Sequence, residues 1–468
     1  MSPYRWAVGC GILLGIALSP WMKVNVEHDS TSLEPVPALA ELTRCANQDS
    51  KDVWAKSTIR EDYPTRGDWP QWRGAGRDGC SKETGLLQSW PTGGPPLAWT
   101  ARKLGRGYSG PAVVGGRIYI LGTDGPHSMA YALDVETGRT VWSAKIGNAL
   151  ENAWGDGPRS TPTVDGNRLY ALTSKGNLVC LNCADGSSVW TVSLVDALGG
   201  EMPDWGYCES PLVDGERVIV TPGVDPAMVA FNKLTGKIIW KSSGLDDGAQ
   251  YSSPVVVEHD GMRLYATMTD RGLVAVEADT GRLQFRYRKT NNGNAVCPTP
   301  IVHDGHIYTT SGYGTGCGLI KLARQGSQMM TEEVFFNGVM KNQHGGVVRV
   351  GRHVFGYSDL AGWVCQNFST GEELWRENNA LPKGSLAYAD GRLYCLSEKD
   401  GTVALISATS SGWQEHGRLQ LPESTRIDRQ RGAVWTPPVI AQGRLLVRDQ
   451  DLLFCYRLKG SLPVASTK

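Results

Sequence analysis

Short apolar runs, each interrupted by a glycine turn and usually followed by a basic residue, recur along the chain from residue 109 onward. The turn unit occurs eight times, about 40 to 52 residues apart. Its glycines are Gly116, Gly166, Gly215, Gly261, Gly305, Gly351, Gly391 and Gly443. Glycine turns between β-branched and apolar runs are typical of β-hairpins. The pattern therefore predicts eight repeats, each with a hairpin of two half-buried strands.

A second motif follows the hairpin in five repeats. A polar residue is followed four positions later by glycine and eight positions later by an aromatic residue, as in Asp134, Gly138 and Trp142. The polar residue and glycine predict a tight turn between two further strands. The aromatic side chain would then lie on the outer strand and pack between neighbouring sheets. The predicted docking residues are Trp99, Trp142, Trp190, Trp240, Phe285 and Trp375.

Two hairpins per repeat make a four-stranded sheet, and radial repetition of such sheets makes a β-propeller. The predicted fold is all-β: an eight-bladed propeller of four-stranded antiparallel blades. The last blade ends at residues 452–457 without an outer strand, so we expect an N-terminal strand at residues 96–99 to complete it and close the ring. Blade five is degenerate, and we expect Phe335 to be its docking residue; blade seven places Trp413 away from the expected position.

The N-terminus predicts export. Arg5 precedes an apolar run at residues 7–18, which is short for a membrane span and has the form of a signal peptide. We therefore divide the chain into four predicted segments. They are residues 1–22, a signal peptide or membrane anchor; residues 23–67, a polar linker; residues 68–460, the propeller; and residues 461–468, a C-terminal tail. The expected location is periplasmic or extracellular, with membrane contact only through the N-terminal segment.

Composition narrows the range of partners. The 468 residues include 47 Lys+Arg and 47 Asp+Glu, and a zero balance argues against a broad electrostatic nucleic-acid binder. Length alone favours about three domains, whereas the repeats predict one ring. We expect this propeller to be monomeric. The 57 glycines are explained by paired hairpin turns in every blade.

The motif ending in Trp142 resembles the tryptophan-docking repeat of the pyrroloquinoline-quinone-like β-propeller family. The resemblance covers roughly residues 68 to 457. Residues 68–79, 205–211, 312–316 and 344–348 look like segments of a bacterial secreted subgroup. This family implies a propeller fold but not one chemistry, because it contains quinone-dependent alcohol dehydrogenases and also non-catalytic scaffolds of outer-membrane barrel assembly.

The dehydrogenase branch implies pyrroloquinoline quinone (PQQ), Ca²⁺, a catalytic Asp and an adjacent Cys-Cys pair. No two cysteines are adjacent here, the nearest being Cys180 and Cys183. Oxygen ligands for Ca²⁺ could still come from loops. The candidates are Asp156, Asp204, Glu209, Asp247, Asn292 and Asn294, of which Asp156, Asp204 or Asp247 would be the base.

The segments that lead into the inner strands surround one mouth of a propeller channel, and here they mix aromatic residues with Arg, Asn and Gln. Such side chains suit quinones, sugars or peptide segments. The predicted ligand-binding residues are Arg106, Tyr108, Trp154, Arg159, Trp205, Tyr207, Glu209, Gln250, Asn294, Gln343, His344, Arg431 and Trp435. The alternative is a water-filled channel lined by structural side chains.

The cysteines predict no metal site. Cys180, Cys365 and Cys455 replace alanines of other blades and suit small buried positions. Export would permit disulfides between Cys208 and Cys297 or Cys45 and Cys80. We therefore expect an exported, non-catalytic binding or scaffold propeller without a cofactor, whose partner is a protein or a small-molecule or carbohydrate ligand. The alternatives are a PQQ- and Ca²⁺-dependent alcohol dehydrogenase and a carbohydrate-binding propeller; no catalytic residue is identified.

Overall fold

Eight four-stranded antiparallel sheets form the eight blades of a β-propeller. This computed structural model describes residues 67–459. The predicted signal or anchor, nearly all of the predicted linker and the C-terminal tail lie outside these residues. The all-β prediction and the count of eight blades are confirmed.

The strands run in chain order through the ring, four to a blade. In blades 1 to 4 they are β2 (Ala112–Val114), β3 (Arg117–Asp124), β4 (His127–Asp134), β5 (Thr140–Asn148), β6 (Thr163–Asp165), β7 (Arg168–Leu172), β8 (Asn177–Asn182), β9 (Ser188–Ser193), β10 (Leu212–Asp214), β11 (Arg217–Val220), β12 (Val229–Asn232), β13 (Ile238–Lys241), β14 (Val255–His259), β15 (Met262–Thr269), β16 (Gly272–Glu277) and β17 (Leu283–Tyr287). In blades 5 to 8 they are β18 (Ile301–His303), β19 (His306–Ser311), β20 (Gly316–Gln325), β21 (Gln328–Asn337), β22 (Val347–Val350), β23 (His353–Ser358), β24 (Gly362–Asn367), β25 (Glu373–Glu377), β26 (Gly384–Ala389), β27 (Arg392–Ser397), β28 (Val403–Ser407), β29 (Glu415–Leu419), β30 (Val439–Ala441), β31 (Arg444–Asp449), β32 (Leu452–Arg457) and the first strand of the chain, β1 (Leu97–Ala101).

Closure of the ring follows the sequence prediction. Strand β1 pairs antiparallel with β32, and Ala101 lies opposite Leu453. The first and last strands of the propeller thus share blade 8. This pairing covers the edge that β32 would otherwise expose, and it ties the two ends of the ring together.

Docking aromatics join each blade to the next. The indole N–H of Trp142 donates to the Cys183 carbonyl at 2.9 Å, and that of Trp240 donates to Ala278 at 2.9 Å. Both rings cover a turn glycine of the next blade with positive φ, such as Gly186 at 74° under Trp142. A Cβ at Gly186 would lie 2.6 Å from the Trp142 ring, so glycine permits this close approach.

Blades four, five and seven depart from the tryptophan-docking pattern in their outer strands. Blade five carries a long hairpin of β20 and β21, and Phe335 there packs over Gly371 of blade six. Blade four offers Phe285, which has no N–H; beside it the Gln284 side chain accepts a hydrogen bond from Met329 N at 3.0 Å. Blade seven has Trp413 against Trp363, with ring centroids 5.9 Å apart.

The apolar core is divided among the joints between blades. For example, Leu121 of blade 1 packs in one cluster with Ala171 of blade 2, and Val274 of blade 4 packs with Ile219 of blade 3. One short helix occurs among the described residues: α1 (Leu194–Leu198) follows β9 and is capped by Ser193, whose hydroxyl accepts from Asp196 N at 3.0 Å. Within residues 67–459, no helix has the length and apolar character needed to cross a membrane.

A segment ahead of β1 crosses one end of the channel. We call residues 67–83 the base segment. Trp69 forms an antiparallel bridge with Val113 of blade 1, and the Arg77 guanidinium donates to the carbonyls of Ser210 and Pro211 ahead of blade 3. Further partners in blades 2, 6, 7 and 8 are Val164, Val347, Tyr388 and Gln442. The base segment therefore closes the end of the channel where the innermost strands turn back.

Candidate functional site

A cavity of about 490 Å³ occupies the opposite mouth of the channel. The segments that lead into the innermost strands form most of its wall, because those segments converge on the channel axis. Two turns between middle strands add Tyr313 and Glu398. The lining residues are Trp72, Tyr108, Trp154, Arg159, Trp205, Cys208, Tyr251, Ser253, Ala295, Cys297, Tyr313, Gln343, His344, Glu398, Arg431, Ala433, Trp435 and Pro437.

The base segment supplies one lining residue, Trp72. Its indole N–H donates to the Thr299 hydroxyl at 2.9 Å, which fixes the ring in the channel. The innermost strand β30 runs from the cavity to the base segment. It begins just after Pro437, which lines the cavity, and it ends next to Gln442, whose N–H donates to the Gly67 carbonyl of the base segment. Trp72 is thus the floor of a cavity with one open end.

Aromatic rings make up much of the cavity wall. The Trp205 and Tyr251 rings lie 5.3 Å apart between centroids, and the Tyr108 and Trp435 rings lie 5.1 Å apart. Their tilted arrangement is favourable for aromatic pairs. Trp154 at the rim is 41% exposed, which leaves a large apolar surface open to a ligand.

Two guanidinium groups face the same cavity without a carboxylate partner among the described residues. Arg159 donates to the Gly155 carbonyl at 2.8 Å and lies 5.2 Å from the Tyr108 ring. Arg431 is exposed and lies 5.5 Å from the Trp154 ring. These contacts orient both side chains by cation–π attraction and do not neutralise their charge.

The one carboxylate that lines the cavity already has a partner. Glu398 contacts His344 Nε2 at 2.5 Å. Burial opposes ionisation of Glu398, but the hydrogen bond from His344 and the nearby charge of Lys383 outweigh burial and lower its pKa. Excess charge in the cavity is therefore positive.

Eight of the predicted ligand-binding residues line this cavity: Tyr108, Trp154, Arg159, Trp205, Gln343, His344, Arg431 and Trp435. The other five lie elsewhere. Arg106 pairs with Asp156 at 2.6 Å beside a separate depression, and Gln250 accepts a hydrogen bond from Val296 N. Asn294 is an exposed turn residue.

Tyr207 and Glu209 lie behind the cavity wall rather than on it. The Tyr207 hydroxyl donates to the Pro222 carbonyl at 2.8 Å, and the Glu209 carboxyl accepts from Thr221 N and Oγ1. Burial raises the pKa of Glu209 to about 7, although the Thr221 bonds and Arg77 of the base segment oppose the shift. Both residues therefore hold the wall in position.

The candidate Ca²⁺ ligands do not converge. Asp156 is paired with Arg106, Asp247 with Arg286, and Glu209 is bound to Thr221. The Asn292 side-chain oxygen accepts from two backbone amides, those of Asn294 and Ala295. Within residues 67–459, no three His, Cys, Asp or Glu side chains are grouped so that they could hold a metal ion. Since Ca²⁺ needs six to eight oxygen ligands, this donor set does not fit the dehydrogenase centre.

The disulfide expectations need correction. Cys208 and Cys297 both line the cavity, but both thiols are free, and Cys80 is free as well. Burial raises the pKa of the Cys208 and Cys297 thiols to about 12, so both are thiols at neutral pH. Cys45 lies outside the described residues.

The lining residues that sequence reasoning missed include the cavity floor and two turn residues. Trp72 belongs to residues 68–79, which the resemblance singled out without giving them a place in the ring. Tyr313 and Glu398 come from turns between the second and third strands of blades 5 and 7, which also reach the mouth. A bulky aromatic residue in a glycine-rich turn, as in Tyr313, was the available signal.

Comparison with known proteins places the ring in a family. The family model described as outer membrane protein assembly factor BamB matches residues 126–359, half of the chain. A protein of that name from Burkholderia pseudomallei is 23% identical over 386 residues, which are 80% of this chain and 91% of that protein. Its counterpart from Salmonella typhimurium is 28% identical over 219 residues, 45% of this chain and 49% of that protein.

Solved structures share the fold at low identity. BamB from Moraxella catarrhalis superposes with a TM-score of 0.56 at 15% identity, over 78% of this chain and 99% of that one. The quinohemoprotein alcohol dehydrogenase ADHIIG from Pseudomonas putida HK5 superposes with a TM-score of 0.60 at 13% identity, over 86% and 82%. Such likeness shows the propeller fold alone. From the family match, the chain belongs to the PQQ_2 propeller family described as outer membrane protein assembly factor BamB.

Proposed function

We propose that this chain is an exported, non-catalytic binding propeller that serves outer membrane protein assembly as a scaffold for other proteins. The curated relatives are named outer membrane protein assembly factors, and one of them is matched over nine-tenths of its length. The proposed site of action is the cavity at the channel mouth.

The observation that carries this proposal is the one-ended aromatic cavity. Trp205, Tyr251 and Trp435 present apolar faces, and Trp72 closes the floor. Concave, mostly apolar sites with a few polar groups are typical of binding sites. An exposed cavity of this kind costs hydration free energy unless a ligand covers it, which favours a binding role.

The polar groups at the mouth favour binding over catalysis. Glu398 is held by His344, and Asp156 and Asp247 are held by arginines. A general base must reach the proton it removes, and these carboxylates are committed to neighbours instead. The dehydrogenase alternative therefore lacks support from the donor set of this chain.

The proposal is tested by deleting the gene in the source bacterium and measuring the folded fraction of the major outer membrane proteins by heat modifiability. We expect that fraction to fall and the wild-type chain to restore it. The Trp205→Ala, Trp435→Ala double variant should restore it poorly, because it removes two walls of the cavity.

Phe336→Ala is the matched control, since Phe336 is a 37% exposed aromatic residue on β21 away from the cavity. It should restore assembly fully. Unchanged levels of folded outer membrane proteins in the deletion strain, at equal growth, would refute the assembly role. Equal rescue by the double variant and Phe336→Ala would refute the cavity as its site.

A further inference from the structure

The cavity has one open end, and this restricts what shape of ligand can enter. The base segment crosses the channel below Trp72 and bonds to blades on several sides. A polypeptide therefore cannot thread through the ring. A chain that reaches Trp72 must enter through the mouth, either as a free end or as a turn.

The charge at the mouth favours the C-terminal end of a polypeptide over the N-terminal end. Arg159 and Arg431 face the cavity, and neither has an acidic partner among the described residues. Glu398, the acidic lining residue, is bound to His344. A carboxylate would be attracted by the two guanidinium groups, whereas an N-terminal ammonium group would be repelled.

The wall chemistry separates an apolar chain end from a neutral sugar. Sugar hydroxyl groups need acceptors as well as donors, and two acceptors of the lining are already engaged: Glu398 by His344, and the Gln343 side-chain oxygen by Lys383. Trp72, Trp205 and Tyr251 instead provide broad apolar surface on the floor and wall of the cavity. An apolar or aromatic side chain matches that surface.

We infer that the cavity binds the C-terminus of a partner polypeptide, with its α-carboxylate taken by Arg159 and Arg431 and its last apolar side chain against Trp72. Capture of a terminal carboxylate is a known mode of peptide recognition. This inference rests on the proposed function, in which the partners are proteins, and it names the part of the partner that the mouth recognises.

Binding of a labelled hexapeptide, Gly-Ser-Gly-Ser-Tyr-Phe, to the purified protein tests the inference by fluorescence anisotropy. We expect the free-acid peptide to bind about tenfold or more tightly than the same peptide with a C-terminal amide. Arg431→Gln should remove most of that difference by weakening the binding of the free-acid peptide. Arg431 is exposed, so this variant should fold normally.

Arg139→Gln is the matched control, because Arg139 is an exposed arginine in the β4–β5 turn, remote from the cavity lining. It should keep the preference for the free acid. Equal affinity for acid and amide, or no binding of either peptide at millimolar concentration, would overturn the inference. So would an unaltered preference in Arg431→Gln.

Two further probes test whether the cavity binds a small carboxylic acid or a sugar instead of a polypeptide end. N-acetylphenylalanine that binds as tightly as the hexapeptide would show a site for free carboxylic acids and overturn the polypeptide assignment. Equal binding of maltotriose would show a sugar site and do the same. If the peptides fail while gene deletion still impairs outer membrane protein assembly, the proposed function stands and the C-terminal inference alone is lost.

Discussion

At the scale of single residues, the indole N–H groups of the docking tryptophans have defined hydrogen-bond partners. The Trp142 and Trp190 indoles each donate to a carbonyl of the next blade, at Cys183 and Lys233. The indole ring buries apolar surface, and the hydrogen bond prevents its N–H from remaining an unpaired buried donor. One residue therefore contributes packing and also aligns its blade with the next. Glu209 is less favourably placed, because its carboxyl is buried beside the base segment.

Because Glu209 is buried, the stability of the folded protein should decrease as the pH rises from about 4.5 to about 7. Its pKa is about 7 in the folded protein against an ordinary value of 4.5. Below pH 4.5 the carboxyl is neutral in both states; between 4.5 and 7 only the unfolded state releases the proton, which favours unfolding by up to roughly 3 kcal/mol. Above pH 7 the penalty is constant.

Glu209→Gln should remove this loss, and Glu201→Gln, at an exposed carboxylate, should retain it. The free energy of unfolding, measured by urea titration at pH 5 and pH 8, compares the three proteins. A decline of the same size in Glu209→Gln as in the wild type would show that another group is responsible.

At the scale of elements, the N-terminal part of the described chain fixes both the ring and the cavity. Strand β1 completes blade 8, and the base segment before it closes the channel. The alternation of apolar residues predicted the strands, and the incomplete last repeat predicted β1. The path of the base segment could not be predicted, because Arg73 and Arg77 bond to carbonyls far away in sequence.

A charge inside β1 should weaken the closure of the ring. Ala101 is 7% exposed and lies opposite Leu453, whereas Leu97 in the same strand is 45% exposed. Ala101→Asp would bury an unpaired carboxylate and should cost about 4 kcal/mol or more, visible as a lower melting temperature. Leu97→Asp should change stability by about 0.5 kcal/mol or less. Equal melting temperatures for both variants would contradict the role of β1 in closure.

At the scale of the whole molecule, eight similar sheets surround a channel with two different ends. The base segment closes one end, and the cavity that we propose as the binding site lies at the other. The repeat predicted the ring and indicated that the mouth would be rich in aromatic residues and arginine. Which of these residues face the cavity depended on side-chain direction: Tyr207 and Trp205 are two positions apart, yet only Trp205 lines it. The sequence also left Glu209 and Asp156 as possible metal ligands, and their hydrogen bonds and ion pairs exclude that arrangement.

Site-specific photo-crosslinking in the source bacterium tests the central claim, that the mouth of the channel is where this propeller binds other proteins. A photoreactive amino acid replaces Gln343, at the cavity, or Phe336, on the outer strand β21. We predict crosslinks from position 343 to unassembled outer membrane proteins and a much weaker signal from position 336. Equal crosslinking from both positions, or none from position 343 while the chain still supports assembly, would contradict the account.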